Sequence, residues 1–479
     1  MLLALLVADP PAPPTAVAPA AARAEEARAR GDYAAARSLY ERALAADPSD
    51  GRAAVGLAEL LVDMGDPAGA EKLLRPVVQS LPDRPEPRRA LARAYLRAEK
   101  PREALAEATR AVELAPQDPS ARVVLGLAQS ASGSPDEAIA TLGKALELRP
   151  GDPSALAGLA SVYAALSDPR ADGAYEKAIA AAPRNLPLEV EYAEYLWRGR
   201  KYDRGNAQME KVLRQLPSNA RLRVHYGLSL ADQSRFQDAV RQFEEARRQG
   251  GTNAEVDFYL GSALWEVGRF EDADARLRDA VTRAPENAAY RHRLGRLELF
   301  RGRTPEAVRE LEAAARLDPK SAEIALDLGR AHEAAGKAPE AERSYRKALE
   351  LEPDLSVTHY ALGTLLARTG RREEAAREVA LYQEFFQKEQ ANRHRNASRQ
   401  AELNLGWTEL DAGRAESALR HFQNHADSVD GLRGSAQALL KLGRRDEAVR
   451  ALERALLLEP DNRGLAWDLE RARAKRETP

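Results

Sequence analysis

The stretch that decides the fold is Ala322–Leu355, which reads AEIALDLGRAHEAAGKAPEAERSYRKALELEPDL. Apolar and small residues follow helical spacing around Leu328 in its first half and around Ala341 in its second half. Gly336 separates the two halves, and Pro353 ends the second, because proline cannot continue a helical hydrogen-bond ladder. The stretch therefore predicts two amphipathic helices and two turns.

The same pattern recurs in thirteen copies from about Val17 to Asn462. The spacing is 34 residues except where one residue is missing near Ser167, where nine extra residues precede Arg399, and where the loop between the last two copies is shortened. Position 20 of every copy is small, from Ala36 to Ala448. Position 8 is also always Gly or Ala: Ala24, Ala58, Ala92, Gly126, Ala160, Ala193, Gly227, Gly261, Gly295, Gly329, Gly363, Gly406 and Ala436. Small residues on facing helices allow the closest packing, and a Leu in such a slot is expected to cost about 1–3 kcal/mol by overpacking. We therefore expect positions 8 and 20 to meet inside each copy.

This pattern resembles the tetratricopeptide repeat, a helix-turn-helix unit of 34 residues. The resemblance implies an all-α fold, a right-handed α-solenoid superhelix of about thirteen repeats with a C-terminal capping helix. Repeats 1–11 occupy residues 20–382, and repeats 12 and 13 occupy 399–462. Between them, residues 383–398 lack a Pro stop and predict an extended helix that acts as a junction. Residues 463–479 form the capping helix and tail, whose charges predict a solvating cap.

The first 19 residues differ in kind from the repeats. Leu2–Ala8 is an apolar run followed by a segment rich in Pro and Ala. It is too short to cross a membrane, which needs about 20 apolar residues. Two interpretations stay open, a short signal-like segment and a disordered tail, with export to the periplasm slightly favoured over a cytoplasmic location.

Composition excludes several classes of function. The 479 residues include 72 basic and 74 acidic side chains that are interspersed, which argues against a general binder of nucleic acid or anionic membranes. The absence of Cys removes disulfides and thiolate metal sites. No run of apolar residues predicts an integral membrane span.

No constellation of residues predicts catalysis. His421 and His425 have a spacing that could hold a metal, but no third ligand accompanies them. Ser344 and Lys347 match a nucleophile pattern, yet they belong to the most regular helix of the array. We therefore predict no catalytic residue, no metal, no cofactor and no small-molecule substrate.

In the resembled family, the first helices of the repeats line a concave groove, mainly through positions 2, 5, 9, 12 and 13. In the third repeat, Arg89, Arg93 and Arg97 share one helical face. Their guanidinium groups could clamp carboxylates of an acidic partner segment. Alternatively, they pair with Glu59 and Asp63 of the adjacent repeat, and both interpretations stay open.

A second set of candidate groove residues combines aromatic rings with cations. Trp and Arg are the residue types that anchor protein interfaces, so the middle repeats are the preferred docking site. The competing interpretation is that each ring packs against the next repeat. The set consists of Trp197, Phe258, Trp265, His292, Arg296, Arg330, Tyr360 and Trp407.

Two functions from different classes follow. The first is a non-enzymatic protein–protein interaction scaffold or adaptor that binds an extended or helical partner segment in the concave groove. The alternative is a regulatory or substrate-recruiting subunit of an enzyme, or of an envelope or secretion assembly, whose catalytic part is another chain. The Ala/Arg-rich composition is similar to that of bacterial arrays that work in such assemblies.

Overall fold

The computed structural model describes residues 19–166, 168, 170–250 and 253–474. Leu2–Ala8, for which two interpretations were open, lies outside the described residues. Within the described ranges the chain forms 26 helices and no strand, which confirms the predicted all-α class. None of these helices has the length and apolarity needed to cross a bilayer.

The helices follow one another at short intervals. In chain order they are α1 (Pro19–Ala29), α2 (Tyr33–Ala46), α3 (Gly51–Asp63), α4 (Pro67–Ser80), α5 (Pro85–Arg97), α6 (Pro101–Leu114), α7 (Pro119–Ala131), α8 (Pro135–Leu148), α9 (Pro153–Ala165), α10 (Arg170–Ala181), α11 (Leu186–Arg198), α12 (Tyr202–Gln215), α13 (Ala220–Asp232), α14 (Phe236–Arg248), α15 (Ala254–Glu266), α16 (Phe270–Arg283), α17 (Ala288–Phe300), α18 (Thr304–Leu317), α19 (Ala322–Ala334), α20 (Ala338–Leu351), α21 (Ser356–Arg368), α22 (Arg372–Asp411), α23 (Ala415–Gln423), α24 (Val429–Lys441), α25 (Arg445–Leu458) and α26 (Arg463–Ala474).

Consecutive helices pair into the predicted repeats. Nine of these pairs pack together between α1 and α20: α1–α2, α3–α4, α5–α6, α7–α8, α9–α10, α13–α14, α15–α16, α17–α18 and α19–α20. Helix α21 contacts the start of α22, where the ring of His359 lies 2.6 Å from the carboxylate of Glu378. The helix α22 is 40 residues long, includes residues 383–398, and also supplies the first helix of repeat 12. Residues 391–398 of this helix are all exposed. Many first helices also contact the first helix of the next repeat, as α3 contacts α5 and α5 contacts α7.

The small residues at positions 8 and 20 set the distance between paired helices. A Cβ atom added to Gly126 would lie 2.7 Å from Cγ of Leu142 and 3.3 Å from the carbonyl oxygen of Ala138. A Cβ atom added to Gly261 would meet the equivalent residue of its own partner helix, 2.8 Å from Leu277. No larger side chain fits these slots without moving the partner helix, which confirms the predicted close contact.

The turn inside each repeat depends on a residue with positive φ. Gly336 has a φ of 75°, and glycine fills the same place in most other repeats because it has no Cβ to clash. In three repeats the residue there is Glu99, Arg200 or Ser234, with φ of 56°, 56° and 58°. Such residues cost about 1–3 kcal/mol each, so these three turns are less stable than the glycine turns.

The helices cluster into two compact units. Unit 1 comprises Met1–Arg198 and Leu405–Pro479, and unit 2 comprises Gly199–Asn404. Unit 1 therefore joins the first repeats to the last ones, although they are far apart in the chain.

The final helix differs from the expectation of a solvating cap. In α26 the side chains of Leu465, Trp467, Leu469 and Ala472 are buried. Trp467 belongs to a buried apolar cluster in unit 1 that includes Val123 of α7. The charge pattern alone suggested a solvated surface because it ignored the four apolar residues, which form a second face of the same helix.

Candidate functional site

The arginine stripe of repeat 3, which consists of Arg89, Arg93 and Arg97, lies in an ion-pair network of unit 1. Arg93 is only 2% exposed, and its Nη1 atom lies 3.4 Å from Oε1 of Glu59. Arg28 reaches the same carboxylate at 2.7 Å and also contacts Asp63 at 2.7 Å. Burial pushes the pKa of Glu59 upward, but the charges of Arg93 and Arg28 outweigh burial and hold the pKa below its usual value. Arg93 is thus committed to an acid of the adjacent repeat.

The other two arginines of the stripe have different surroundings. Arg89 lies 3.2 Å from the carboxylate of Asp118, the residue that caps the N-terminus of α7. Burial lowers the pKa of Arg97, Asp63 opposes this shift, and the neighbouring charge of Arg93 adds to it. The stripe is therefore largely internal to unit 1, and it pairs with Asp118 as well as with Glu59.

The two groove tryptophans of unit 1 are buried or half-buried. Trp197 of α11 is buried. Trp407 of α22 meets the ring of Phe422 edge-on, with ring centroids 4.8 Å apart. Edge-to-face pairs of this kind stabilise a core. Packing against a neighbouring helix therefore describes Trp407, and burial removes most of the Trp197 ring from the exposed surface.

In unit 2, three predicted site residues converge on one carboxylate. Asp327 of α19 lies 2.8 Å from Nε2 of His292, 3.4 Å from Nε of Arg296 and 2.9 Å from Nη1 of Arg330. Burial raises the pKa of Asp327, but the hydrogen bond with His292 and the positive charges outweigh it, so the pKa lies below its usual value. The site thus brings His292, Arg296 and Arg330 together around a single negative charge.

An aromatic pair, Trp265 of α15 and Phe300 of α17, lies beside the arginines that contact this carboxylate. The guanidinium of Arg293 is 4.4 Å from the ring centroid of Trp265, and that of Arg296 is 5.6 Å from it. Phe300, at the end of α17, lies 6.2 Å from Trp265 and is 61% exposed. The side chains of Arg296 and Arg330 are 42% and 41% exposed. We call Trp265, Arg296, Phe300 and Arg330 together the α15–α19 strip.

The remaining two aromatic candidates lie on either side of the strip along the chain. Phe258 of α15 stacks on Tyr290 of α17, with ring centroids 4.6 Å apart. Tyr360 of α21 is 54% exposed and lies 5.2 Å from the ring of Tyr382. Phe258 therefore fills the contact between two repeats, whereas Tyr360 offers its ring to solvent.

Sequence reasoning missed three residues that shape these surfaces. Phe300 occupies position 13, a groove position, and could have been found from the repeat register alone. Asp327 occupies position 6, outside the groove set, so nothing in the register indicated its role. Trp467 lies beyond the thirteenth repeat, and extending the register by half a repeat places it at position 5.

The described part of the chain contains no group of three His, Asp or Glu side chains that could hold a metal ion. What the strip offers chemically is guanidinium donors and aromatic faces. These groups bind and orient another molecule, and neither type cleaves or forms bonds by itself.

Comparison with solved structures returned helical repeat proteins, while a search of the curated proteins returned no match. A protein titled "Crystal structure of YrrB: a TPR protein with an unusual peptide-binding site" is 23% identical, covers 40% of this chain and 98% of its own, and has a TM-score of 0.36. TTC0263, a TPR protein of Thermus thermophilus, is 28% identical over 37% of this chain and 97% of its own, with a TM-score of 0.34. MamA from Desulfovibrio magneticus is 21% identical over 35% and 96%, with a TM-score of 0.34.

Family models agree with the repeat register. Models described as Tetratricopeptide repeat match residues 27–94, 89–153, 125–186, 192–254, 258–322, 292–356, 326–389 and 429–462. These ranges cover more than half of the chain and include both the arginine stripe and the α15–α19 strip. With its paired helices and small contact residues, the chain belongs to the tetratricopeptide repeat family, whose members serve as protein–protein interaction scaffolds.

Proposed function

We propose that the chain is a non-enzymatic scaffold that holds an extended or helical segment of a partner protein against the α15–α19 strip. The observation that carries this proposal is the exposed Phe300 beside Trp265, flanked by two half-exposed arginines. Exposed aromatic rings next to Arg are the composition of interface hot spots. The partner contributes an apolar side chain to the rings.

The arginines give the partner a second requirement, which is negative charge. Arg296 and Arg330 share the carboxylate of Asp327, which His292 also contacts. A guanidinium carries five N–H donors, so one carboxylate cannot satisfy two of these groups. An Asp or Glu of the partner would pair with the remaining donors, and charge-assisted bonds of this kind are the strong ones. The partner segment therefore combines an apolar residue with a nearby acid.

The experiment places p-benzoylphenylalanine, a photo-crosslinking amino acid that keeps the aromatic ring, at position 300 of the full chain, in extracts of the source cells. A matched control places the same amino acid at Leu457 of α25, which is 81% exposed on a second helix of a repeat. We expect a crosslinked partner at position 300 that is absent at position 457. The reversal Arg296→Glu with Arg330→Glu is expected to remove it.

Two results would contradict the proposal. One is the same set of crosslinked proteins at both positions, which would reflect general stickiness of exposed sites. The other is a partner whose crosslinking at position 300 survives the charge reversal unchanged. Circular dichroism of each variant establishes that the helices remain folded, so a loss of crosslinking reports on the strip itself.

A further inference from the structure

The repeat register continues through the last helix. Repeat 13 begins at Val429, so a fourteenth first helix begins at Arg463, the residue where α26 starts. In that register Trp467 falls on position 5 and Arg471 on position 9. Arg433 takes position 5 of repeat 13. The C-terminal stack therefore presents an aromatic ring and two cations at positions that line the groove in this family.

Within unit 1, these three side chains are engaged by other residues. Trp467 is 4% exposed and packs in one apolar cluster with Val123, Leu127 and Leu166. Its indole N–H donates a hydrogen bond to the carboxylate of Asp136, at the start of α8. Apolar contacts therefore hold the ring of Trp467 in the cluster, and the directional hydrogen bond of its N–H group fixes the orientation of the ring.

Polar contacts border the buried ring. Arg433 donates from Nη2 to the carbonyl oxygen of Leu166 at 2.6 Å and from Nε to Asp468 at 2.8 Å. Arg471 lies 3.4 Å from the carboxylate of Asp168, and its guanidinium is 5.1 Å from the centroid of the Trp467 ring. The contact thus has an apolar centre and a charged rim, the organisation of a protein interface.

The receiving face is itself a set of groove positions. Val123 and Leu127 occupy positions 5 and 9 of repeat 4, and both are buried in the cluster that includes Trp467. The same positions in repeat 9 hold His292 and Arg296. Repeat 4 therefore places two aliphatic side chains at positions that are polar in repeat 9, and burial of these side chains requires an apolar cover.

We propose that the face formed by Val123, Leu127, Leu166, Asp136 and Asp168 is a binding site for an amphipathic helix that carries a Trp and, four residues later, an Arg. In the isolated chain α26 occupies this site, and a partner helix of the same pattern displaces it. The site belongs to unit 1, so it goes beyond the proposed function of the α15–α19 strip and is tested separately.

The contacts described above make displacement feasible. Trp467 is the α26 side chain that joins the apolar cluster around Val123. The Arg471 side chain is half exposed, so its ion pair with Asp168 is screened by solvent. The short turn between α25 and α26 makes the docking intramolecular, which favours α26 over a free helix. A partner helix must therefore bind this face more tightly than α26 does, whereas a peptide with the sequence of α26 binds well only once the anchor is removed.

The experiment measures binding of a fluorescein-labelled peptide of residues 460–474 to the full chain by fluorescence anisotropy. The proteins are the wild type, Trp467→Ala, and the double variant Trp467→Ala with Val123→Asp. The control peptide carries Ala in place of its Trp. We expect Trp467→Ala to bind the peptide at least about tenfold more tightly than the wild type, because a buried Trp is a typical interface anchor. Adding Val123→Asp, or using the control peptide, is expected to abolish this gain.

Equal peptide affinity for the wild type and Trp467→Ala would overturn the proposal, as would a gain that survives Val123→Asp. Asp136→Ala provides a second route that leaves the apolar cluster intact, and we expect it to give a smaller gain in the same direction. Amide hydrogen exchange of residues 463–474 should become faster in both variants. A wild-type chain that forms dimers by exchanging α26 between copies would show that the occupant comes from a second molecule, and would overturn occupation within one chain.

Discussion

Repeats 3 and 9 carry cations at the same groove positions but use them differently. Positions 5 and 9 are Arg89 and Arg93 in repeat 3, and His292 and Arg296 in repeat 9. Arg93 is buried against Glu59, whereas Arg296 remains half exposed beside an exposed aromatic ring. The difference lies in the neighbouring repeats, which supply several acids to the first network and one shared carboxylate to the second. A groove position therefore becomes available for binding only where the adjacent repeats leave its charge partly unpaired.

The largest expected effect comes from removing the acid that repeat 2 supplies to repeat 3. Glu59→Ala leaves Arg28 and the buried Arg93 without a shared partner. Breaking a buried ion pair on one side costs about 3–5 kcal/mol, so the free energy of unfolding should fall by roughly that amount. Urea denaturation followed by circular dichroism measures it. A loss below about 1 kcal/mol, the range of exposed ion pairs, would mean that the network is solvated.

Removing the charge of Asp327, the acid shared by the cations of repeats 9 and 10, should lower the free energy of unfolding by less than Glu59→Ala does. It should also alter the pH dependence of stability. Asp327 has a lowered pKa in the folded chain, so its contribution to stability is present above its unfolded pKa and is lost as the pH falls through the folded pKa. Asp327→Asn should lower stability by about 1–2 kcal/mol at neutral pH and should reduce the loss below about pH 4. Thermal unfolding of both proteins across this pH range measures the difference. Parallel pH profiles would contradict the assignment.

How much of the fold and of the candidate site can be predicted from the sequence depends on how far apart in the chain the contacting residues lie. The small residues at positions 8 and 20, such as Gly126 and Ala138, identify the fold because each acts within one repeat. The pairing of Arg93 depends on the reach of side chains from adjacent repeats, which spacing cannot resolve. The docking of Trp467 on Val123 depends on a return of the chain across many repeats, and no local pattern encodes that.

A third prediction separates binding from stability within the α15–α19 strip. Phe300→Ala removes a ring that is mostly exposed, so the free energy of unfolding should change by less than about 0.5 kcal/mol. Partner capture by the strip should nevertheless drop, because the apolar anchor is gone. Phe258→Ala is the matched comparison, since its ring stacks between two repeats and its loss should cost stability. Equal destabilisation by the two changes would show that Phe300 is a packing residue.

The last prediction concerns the turns of repeats 3 and 9 and affects stability alone. Repeat 3 turns at Glu99 with a φ of 56°, whereas repeat 9 turns at Gly302 with a φ of 72°. Glu99→Gly should stabilise the chain by about 0.5–1 kcal/mol, because relief of the left-handed strain exceeds the added entropy of the unfolded glycine. The midpoint of urea unfolding should rise accordingly. An unchanged or lower midpoint would indicate that Glu99 makes a compensating contact.

The contact between Trp467 and Asp136 also determines when this part of the protein can complete its folding during translation. Trp467 and its acceptor Asp136 are 331 residues apart, so at roughly 5–20 residues per second a ribosome needs about 15–65 s to travel between them. During that interval the aliphatic surface around Val123 has been synthesised, but the helix that covers it has not. The surface around Val123 therefore stays uncovered in the nascent chain until α26 has been synthesised. A chaperone or a partner protein present at that time would bind this surface before α26 does.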